Sequence, residues 1–234
     1  MIEIKGLTKQ ADDKLILRGI DLKVQTGETV AILGPNGAGK STILKVIATL
    51  MKPTSGTVNI NGLELKKHSM KIKKMLGYLP HSSLLYEHYS PIENLVFYGS
   101  AYGIDDPGTR AVELVRQVGL SYFQNEPVKN FSRGMIQRIA IARAIIHDPL
   151  LLLLDEPHTG LDQGAIAILN QVILSMKNQG TTTLMVTHDL KQAAEICDRA
   201  IIIKNGRVVE DFPLKQKSED ALTERYLQMT EAVS

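Results

Sequence analysis

Cysteine, net charge and long apolar segments are all scarce in this chain of 234 residues. The one cysteine, Cys197, cannot form an internal disulfide, and this composition fits a reducing compartment. A formal net charge of +2 gives no electrostatic reason to expect nucleic acid or an anionic membrane as a partner. No segment approaches the roughly 20 apolar residues that a membrane-spanning helix needs, and the start of the chain lacks the apolar core of a signal peptide. We therefore expect a cytoplasmic protein that serves any membrane through a partner.

The hydrophobic pattern changes character along the chain. From about 1 to 81 it indicates mostly short strands joined by glycine-containing turns, and from about 82 to 146 it shows helical spacing with few strand signals. Strands and helices alternate again from about 147 to 212, and a charged helical tail follows at about 213–234. This order predicts one α/β domain with a mainly parallel sheet, an antiparallel β subdomain at the amino terminus and an inserted helical subdomain.

The same pattern predicts individual elements. Short apolar runs predict strands at 2–4, 16–22, 29–33, 57–61, 150–154, 182–186, 200–203 and 207–209. Helical spacing predicts helices at 40–50, 164–179 and 190–198. Asn-Gly pairs at 61–62 and 205–206 predict hairpin turns. The lysine-rich stretch at 66–74 is interpreted as the solvated face of a helix.

The segment that begins at Gly34 matches the phosphate-binding pattern G-x-x-x-x-G-K-S in full. Glycines let successive amides turn toward phosphate oxygens, and the following helix adds the positive end of its dipole. Lys40 can reach the β- and γ-phosphates, and Ser41 can offer its hydroxyl to Mg²⁺. The predicted nucleotide site of this P-loop NTPase core is Gly34, Pro35, Asn36, Gly37, Ala38, Gly39, Lys40, Ser41 and Thr42. The motif alone is shared by kinases, GTPases and helicases.

Two carboxylates, Asp155 and Glu156, directly follow the five-leucine strand at 150–154. Packing does not explain acids at the mouth of a buried strand, because buried acids need partners. Asp155 is predicted to hold Mg²⁺, which prefers oxygen ligands. Glu156 is predicted to polarise the attacking water, a role worth roughly 10²–10⁴-fold in rate. Beside the phosphate loop, this interpretation is stronger than that of two solvated strand-end acids.

The segment Phe131-Ser132-Arg133-Gly134-Met135 opens a further predicted helix, for which Ser132 is a natural N-cap. Taken alone, it would be an ordinary capped amphipathic helix. Taken with the other motifs in their order, it resembles the signature of the ATP-binding subunit of ABC transporters. In addition, Gly160-Leu161-Asp162 resembles the D-loop of that family and Thr187-His188-Asp189 its switch histidine. The resemblance covers nearly the whole chain.

This resemblance implies an ATPase that binds MgATP, sandwiches two ATP molecules in a dimer and lies peripherally on the inner face of the cell membrane against an integral permease. His188 would contact the γ-phosphate beside Lys40 and Glu156, and Asp162 would link the two sites. The signature that faces the partner subunit's ATP would be Ser132, Arg133, Gly134 and Met135. Taken singly, His188 would more commonly be a surface histidine in a capped turn, and only the family resemblance favours the switch role.

Three positions depart from the family pattern. Ala11 stands near the place of the usual adenine-stacking aromatic, so either affinity for the base is reduced or another residue supplies it. His81 follows Gly77-Tyr78-Leu79-Pro80 where the family has glutamine, which favours a role in coupling to the permease over one as a Mg²⁺ ligand. Arg133 and Met135 replace a glycine and a glutamine of the signature, while Ser132 and Gly134 keep their identities.

The pathway is a separate hypothesis. Segments at 81–86, 93–95, 97–98, 102–103 and 131–135 resemble the haem exporter ATPase of cytochrome c maturation. Multidrug-type and other exporters share much of that pattern. A soluble ABC-type ATPase acting on DNA or the ribosome is less consistent, because the chain lacks both long coiled coils and a second ATPase unit. A small-molecule kinase would leave the signature and the D-loop unexplained.

Overall fold

Two β-sheets carry the fold of this protein, for which a computed structural model describes residues 1–214 and 218–231. The strands are β1 Ile2–Ala11, β2 Lys14–Val24, β3 Thr29–Leu33, β4 Ser55–Ile60, β5 Leu63–Glu64, β6 Leu76–Leu79, β7 Leu151–Asp155, β8 Thr182–Val186, β9 Arg199–Lys204 and β10 Arg207–Pro213. The helices are α1 Lys40–Ile47, α2 Leu65–Lys73, α3 Pro91–Tyr102, α4 Pro107–Gln117, α5 Arg133–Ile145, α6 Gln163–Asn178, α7 Leu190–Ile196 and α8 Glu219–Glu231. Single 3₁₀ turns occur at Ser121–Phe123 and Val128–Asn130.

The smaller sheet is antiparallel, with strand order β2-β1-β4-β5. The larger sheet has the order β10-β9-β3-β8-β7-β6, and all its neighbours pair in parallel except β10 with β9. The predicted α/β fold, with an antiparallel amino-terminal sheet and a mainly parallel main sheet, is therefore confirmed. Both Asn-Gly turns also form as predicted, since Asn61, Gly62, Asn205 and Gly206 all have positive φ.

Each face of the main sheet is buried by a different layer. In β7, Leu152 and Leu154 pack into the hydrophobic cluster that includes α3, α4 and α5, while Leu151 and Leu153 pack into the cluster formed with α1 and the smaller sheet. This explains the uninterrupted leucines, because a parallel strand covered on both faces has no polar side. Strand β7 begins one residue later than predicted, and the omitted Leu150 is 50% exposed.

Helix α8 attaches the predicted carboxyl-terminal tail to the core. Leu222 is buried in the main hydrophobic cluster, and Lys204 Nζ donates to the Met229 carbonyl. Arg225 pairs with Glu210, and its guanidinium lies 4.1 Å from the centre of the Phe212 ring. The tail is thus a packed helix at Glu219–Glu231, whereas Pro213 still belongs to β10. The rest of the predicted tail, at 215–217 and 232–234, lies outside the described residues.

Helix α1 ends three residues before the predicted position because a Schellman motif closes it. The Leu50 amide donates to Lys45 O at 2.9 Å and the Thr49 amide to Val46 O at 3.0 Å. This motif needs a left-handed residue at Thr49, whose φ is 61°. A β-branched side chain is strained there, and the buried Thr49 hydroxyl also has no hydrogen-bond partner among the described residues.

We predict that Thr49→Gly stabilises the protein by about 1 kcal/mol, since glycine adopts the left-handed conformation without steric cost. The change also removes an unpaired buried hydroxyl. Chemical denaturation measures the free energy of unfolding. The matched control is Ala48→Gly, one residue earlier at an ordinary φ of −68°, which should destabilise by about 0.5–1 kcal/mol. Destabilisation by both changes would refute the strain at Thr49.

Candidate functional site

The predicted site residues meet at one edge of the main sheet. Asp155 in β7 is paired with Val186 in β8, and Val186 is paired with Ile32 in β3. Because these strands are parallel, their carboxyl ends emerge on the same side. Ile32, Val186 and Asp155 therefore form one row across the sheet. The phosphate loop, His188 and Glu156 each follow this row by one or two residues, so they lie at the same edge.

Glycine is required sterically in the loop between β3 and α1. A Cβ on Gly34, where φ is 147°, would lie 2.1 Å from Ile203 O. Gly39 has φ 101° at the N-cap of α1, and a Cβ there would lie 2.7 Å from Leu17 Cδ2. The loop borders a cavity of about 420 Å³, which is lined by Lys14, Ile16, Asn36, Gly37, Ala38, Gly39, Lys40, Ser41, Thr42 and Glu156. Most of the predicted nucleotide site thus surrounds one cavity.

Lys40 lies at the start of α1 with its side chain turned back over the loop. Its Nζ donates to Gly34 O at 2.7 Å and to Pro35 O at 3.1 Å. Burial lowers the pKa of Lys40, and the nearby carboxylates of Glu156 and Asp155 oppose that shift. The ammonium is therefore held by dipoles and acids beside the cavity, where phosphate oxygens can replace the carbonyl acceptors.

Ser41 and Asp155 form a paired set of oxygen donors. The Ser41 hydroxyl donates to Asp155 Oδ1 at 2.9 Å, and Asp155 is 5% exposed. A hydroxyl and a carboxylate side by side are oxygen ligands that suit a hard cation such as Mg²⁺. The residues predicted to hold the metal therefore lie together and have the appropriate chemistry.

Glu156 leaves the strand in a left-handed conformation with φ 54°, which is uncommon for a residue other than glycine. Its Oε2 accepts from His188 Nδ1 at 2.7 Å and from the His188 amide at 3.3 Å. Its backbone amide donates to Val186 O at 2.9 Å. The structure thus joins the predicted general base and the predicted switch histidine directly, although 32 residues separate them in sequence.

A family model described as ABC transporter matches residues 17–159. The chain belongs to this family. It is an ATP-binding subunit with ATPase activity. It is 34% identical to the ABC transporter ATP-binding protein NatA of Bacillus subtilis (strain 168), over 94% of each chain. It is 33% identical to the Nod factor export ATP-binding protein I of Burkholderia lata, over 90% of this chain and 70% of that protein. The dimeric structure of the bacterial ABC transporter cassette MJ0796 is 30% identical and has a TM-score of 0.83, covering 92% of this chain and 99% of that one.

The signature of this ABC ATPase lies away from the cavity that the phosphate loop lines. Ser132 is the N-cap of α5, where its Oγ accepts from the Met135 amide at 3.3 Å. Ser132 and Arg133 are exposed, and none of the four signature residues is among those that line that cavity. Their predicted contact with ATP stays a prediction that needs a second subunit.

Contacts between the signature helix and the segment 157–160, which includes the first residue of the D-loop, were missed by sequence reasoning. Gln137 Nε2 donates to Pro157 O at 2.8 Å. A Cβ on Gly160 would lie 2.6 Å from Arg133 Nη1, so the guanidinium packs against that glycine. Arg133, the departure from the usual signature glycine, thus covers the backbone of the D-loop. No sequence signal links these positions, because the contacts depend on how α5 packs against α6 and β6.

Three other predicted positions have local surroundings. Asp162 is the N-cap of α6, with Oδ1 accepting from the Ala165 amide at 2.8 Å, so it has a structural role besides its predicted one. His81 is exposed in the loop after β6 and does not line the cavity. Ala11 ends β1 outside the cavity, whereas Ile16 of β2 lines it. Ile16 is an apolar surface that sequence reasoning did not identify.

We predict that Lys40→Ala weakens ATP binding by roughly 10- to 100-fold, since the phosphates lose charge-assisted hydrogen bonds worth about 1.5–3 kcal/mol. Titration with a fluorescent ATP analogue measures the loss. Lys45→Ala is the matched control, because Lys45 lies on the same helix with an exposed side chain. Unchanged affinity in Lys40→Ala, or an equal loss in both variants, would contradict the assignment.

Proposed function

We propose that this subunit works as an ATP-sandwich dimer that powers export through a separate integral membrane permease. The observation that carries the proposal is the separation of two half-sites. The phosphate loop and Glu156 line one cavity, while the signature at the start of α5 presents an exposed serine and helix N-terminus elsewhere. Two copies related by a two-fold axis could bring each signature to the other's ATP. The dimeric relative supports this arrangement.

In the proposed dimer, each residue has a role that its surroundings fit. Backbone amides of residues 34–39 and Lys40 would hold the phosphates, and the signature of the partner copy would contact the γ-phosphate. Ser41 and Asp155 would hold Mg²⁺, which when bound neutralises phosphate charge. Glu156 would orient and deprotonate the attacking water, and His188 would keep its carboxylate in position through the 2.7 Å contact.

Adenine would pack on Ile16 in place of an aromatic ring. Ile16 and Lys14 line the same cavity as the phosphate loop. An aliphatic side chain buries the base but offers no ring to stack against, so the phosphates would supply most of the affinity. In this proposal Ile16 provides the contact with adenine that Ala11 is too small to make.

The proposed permease contact surrounds His81 and an exposed aromatic patch after it. We define this patch as Leu84, Tyr86, Tyr89 and Phe97, each more than 40% exposed. Asn94 holds the underlying loop by donating to Tyr86 O at 3.0 Å and accepting from the Tyr86 amide at 2.8 Å. A preformed apolar patch of this kind marks an interaction surface. None of the described helices could itself cross a lipid bilayer.

The same mechanism would serve two alternative cargoes. One is haem, exported for cytochrome c biogenesis, and the other is a different compound. The haem resemblance rests on segments that include Leu84, Tyr86 and Phe97 of the aromatic patch, which belongs to the surface proposed for the permease. The relative from Burkholderia lata is a Nod factor export protein. This similarity supports export in general and does not favour haem. The pathway therefore depends on which permease binds the patch.

We predict that Glu156→Gln lowers ATP turnover by roughly 10²–10⁴-fold while leaving ATP binding intact. The amide cannot accept a proton, so ATP should remain between the two copies and stabilise a dimer. Size-exclusion chromatography with light scattering, with and without MgATP, measures the change from monomer to dimer. The double variant Glu156→Gln with Ser132→Arg is the control, and it should stay monomeric because its signature is blocked. A monomeric Glu156→Gln at saturating MgATP would refute the sandwich.

Co-purification of tagged Glu156→Gln from native membranes with MgATP identifies the partner. We expect an integral permease, and cytochrome c maturation components beside it would establish the haem pathway. Any other permease alone would assign a different exported compound. The control adds Phe97→Glu, which places a charge in the aromatic patch and should release the permease without changing the dimer. Equal permease recovery with Phe97→Glu would refute the patch as the contact.

A further inference from the structure

His158 is a buried polar residue in the Glu156–Asp162 loop, most of whose other members reach the surface. It is 5% exposed, although Thr159, Gly160 and Asp162 of the same loop are partly or fully exposed. It does not line the nucleotide cavity. Two residues before it lies Glu156, and four residues after it lies Asp162. A buried imidazole at this position needs hydrogen-bond partners.

A chain of side-chain hydrogen bonds joins His158 to two helices. His158 Nε2 lies 2.8 Å from Asn170 Oδ1 in α6. Asn170 Nδ2 donates to Gln192 Oε1 at 2.7 Å and to Glu195 Oε1 at 3.4 Å, and both of these residues belong to α7. His158, Asn170 and Gln192 are all at least 95% buried. The three side chains thus connect the Glu156–Asp162 loop to both following helices.

The donor and acceptor groups of these side chains fix the direction of the hydrogen bonds. Only an amide nitrogen can donate to the Glu195 carboxylate, so Asn170 turns its Nδ2 toward α7 and its Oδ1 toward His158. His158 must therefore carry its proton on Nε2. Burial lowers the pKa of His158, although Asn170 and nearby acids oppose the shift, which suits a neutral ring with one donor nitrogen.

The far end of this hydrogen-bonded chain lies on α7, the helix that follows the switch histidine. Helix α7 begins directly after His188, with Asp189 as its N-cap. Asp189 Oδ1 accepts from the Gln192 amide at 3.0 Å. Two connections consequently join the Glu156–Asp162 loop to the segment that contains His188 and α7. One is the Glu156–His188 contact at 2.7 Å, and the other is the buried chain through Asn170.

We propose that His158 is a positioning residue for ATP hydrolysis. Through Asn170 and Gln192 it fixes the Glu156–Asp162 loop against α7, and it thereby sets the position of the Glu156 carboxylate relative to His188. This inference rests on the proposed role of Glu156. Its loss displaces a catalytic group without removing any contact to ATP, so it lowers kcat and leaves the ATP KM nearly unchanged.

The test compares kcat, ATP KM and thermal unfolding for three variants. His158→Phe keeps a planar ring but removes the donor, and it should lower kcat about tenfold or more, since small misplacements of catalytic groups cost up to roughly 10²-fold. His158→Gln can donate through its amide, and it should recover most of kcat. Gln192→Leu breaks the same chain one link further away, and it should lower kcat in the same way if His158→Phe does not fold.

His147→Phe is the control, at a partly buried histidine outside the site. Its ring stacks on Tyr102 at 3.7 Å and its Nε2 lies 3.0 Å from Leu76 O, at the start of β6. This variant should lower the unfolding temperature with kcat unchanged. The proposal is overturned if His158→Phe also loses only stability, if His158→Gln rescues nothing, or if Gln192→Leu leaves kcat intact. Failure of the function itself would appear separately, as a wild-type chain that does not hydrolyse ATP.

Discussion

The parallel pairing of β3, β8 and β7 is the constraint on which the rest of this structure depends. Ile32, Val186 and Asp155 stand in one row of that sheet. The segments that follow these three strands must therefore all begin at the same edge of the sheet. This brings Lys40, Glu156 and His188 to one site. A slip of one residue in β7 would turn Asp155 toward the opposite face of the sheet.

Several polar and charged side chains are buried around that edge of the sheet, where their desolvation must be offset by nearby partners. Lys40 and Asp155 are each less than 9% exposed, and they are tolerated because carbonyls, a hydroxyl and opposite charges surround them. His158 and Asn170 extend this arrangement away from the cavity in uncharged form. Two buried polar groups thus support the site, one between the phosphate loop and β7 and the other between the loop after β7 and helices α6 and α7.

Several features could be predicted from sequence because local patterns specify them. Glycine is required at 34 by the close Ile203 carbonyl and at 39 by a φ of 101°, and the motif identifies both without knowledge of these constraints. The strand at 182–186 and the turn at Asn205-Gly206 also follow from local chemistry. The predicted end of α1 was wrong because Thr49, a residue with low preference for the left-handed region, nevertheless closes the Schellman motif.

The sequence by itself determined the class of fold, the phosphate loop and the carboxylates at the end of β7, because each is specified by contiguous residues with a fixed local geometry. Only the tertiary structure decided which distant groups meet: Glu156 with His188, Arg133 with Gly160, Gln137 with Pro157, and His158 with α6 and α7. These contacts join residues that lie on separate elements. Their partners follow from strand register and helix packing, which no single segment of the chain encodes.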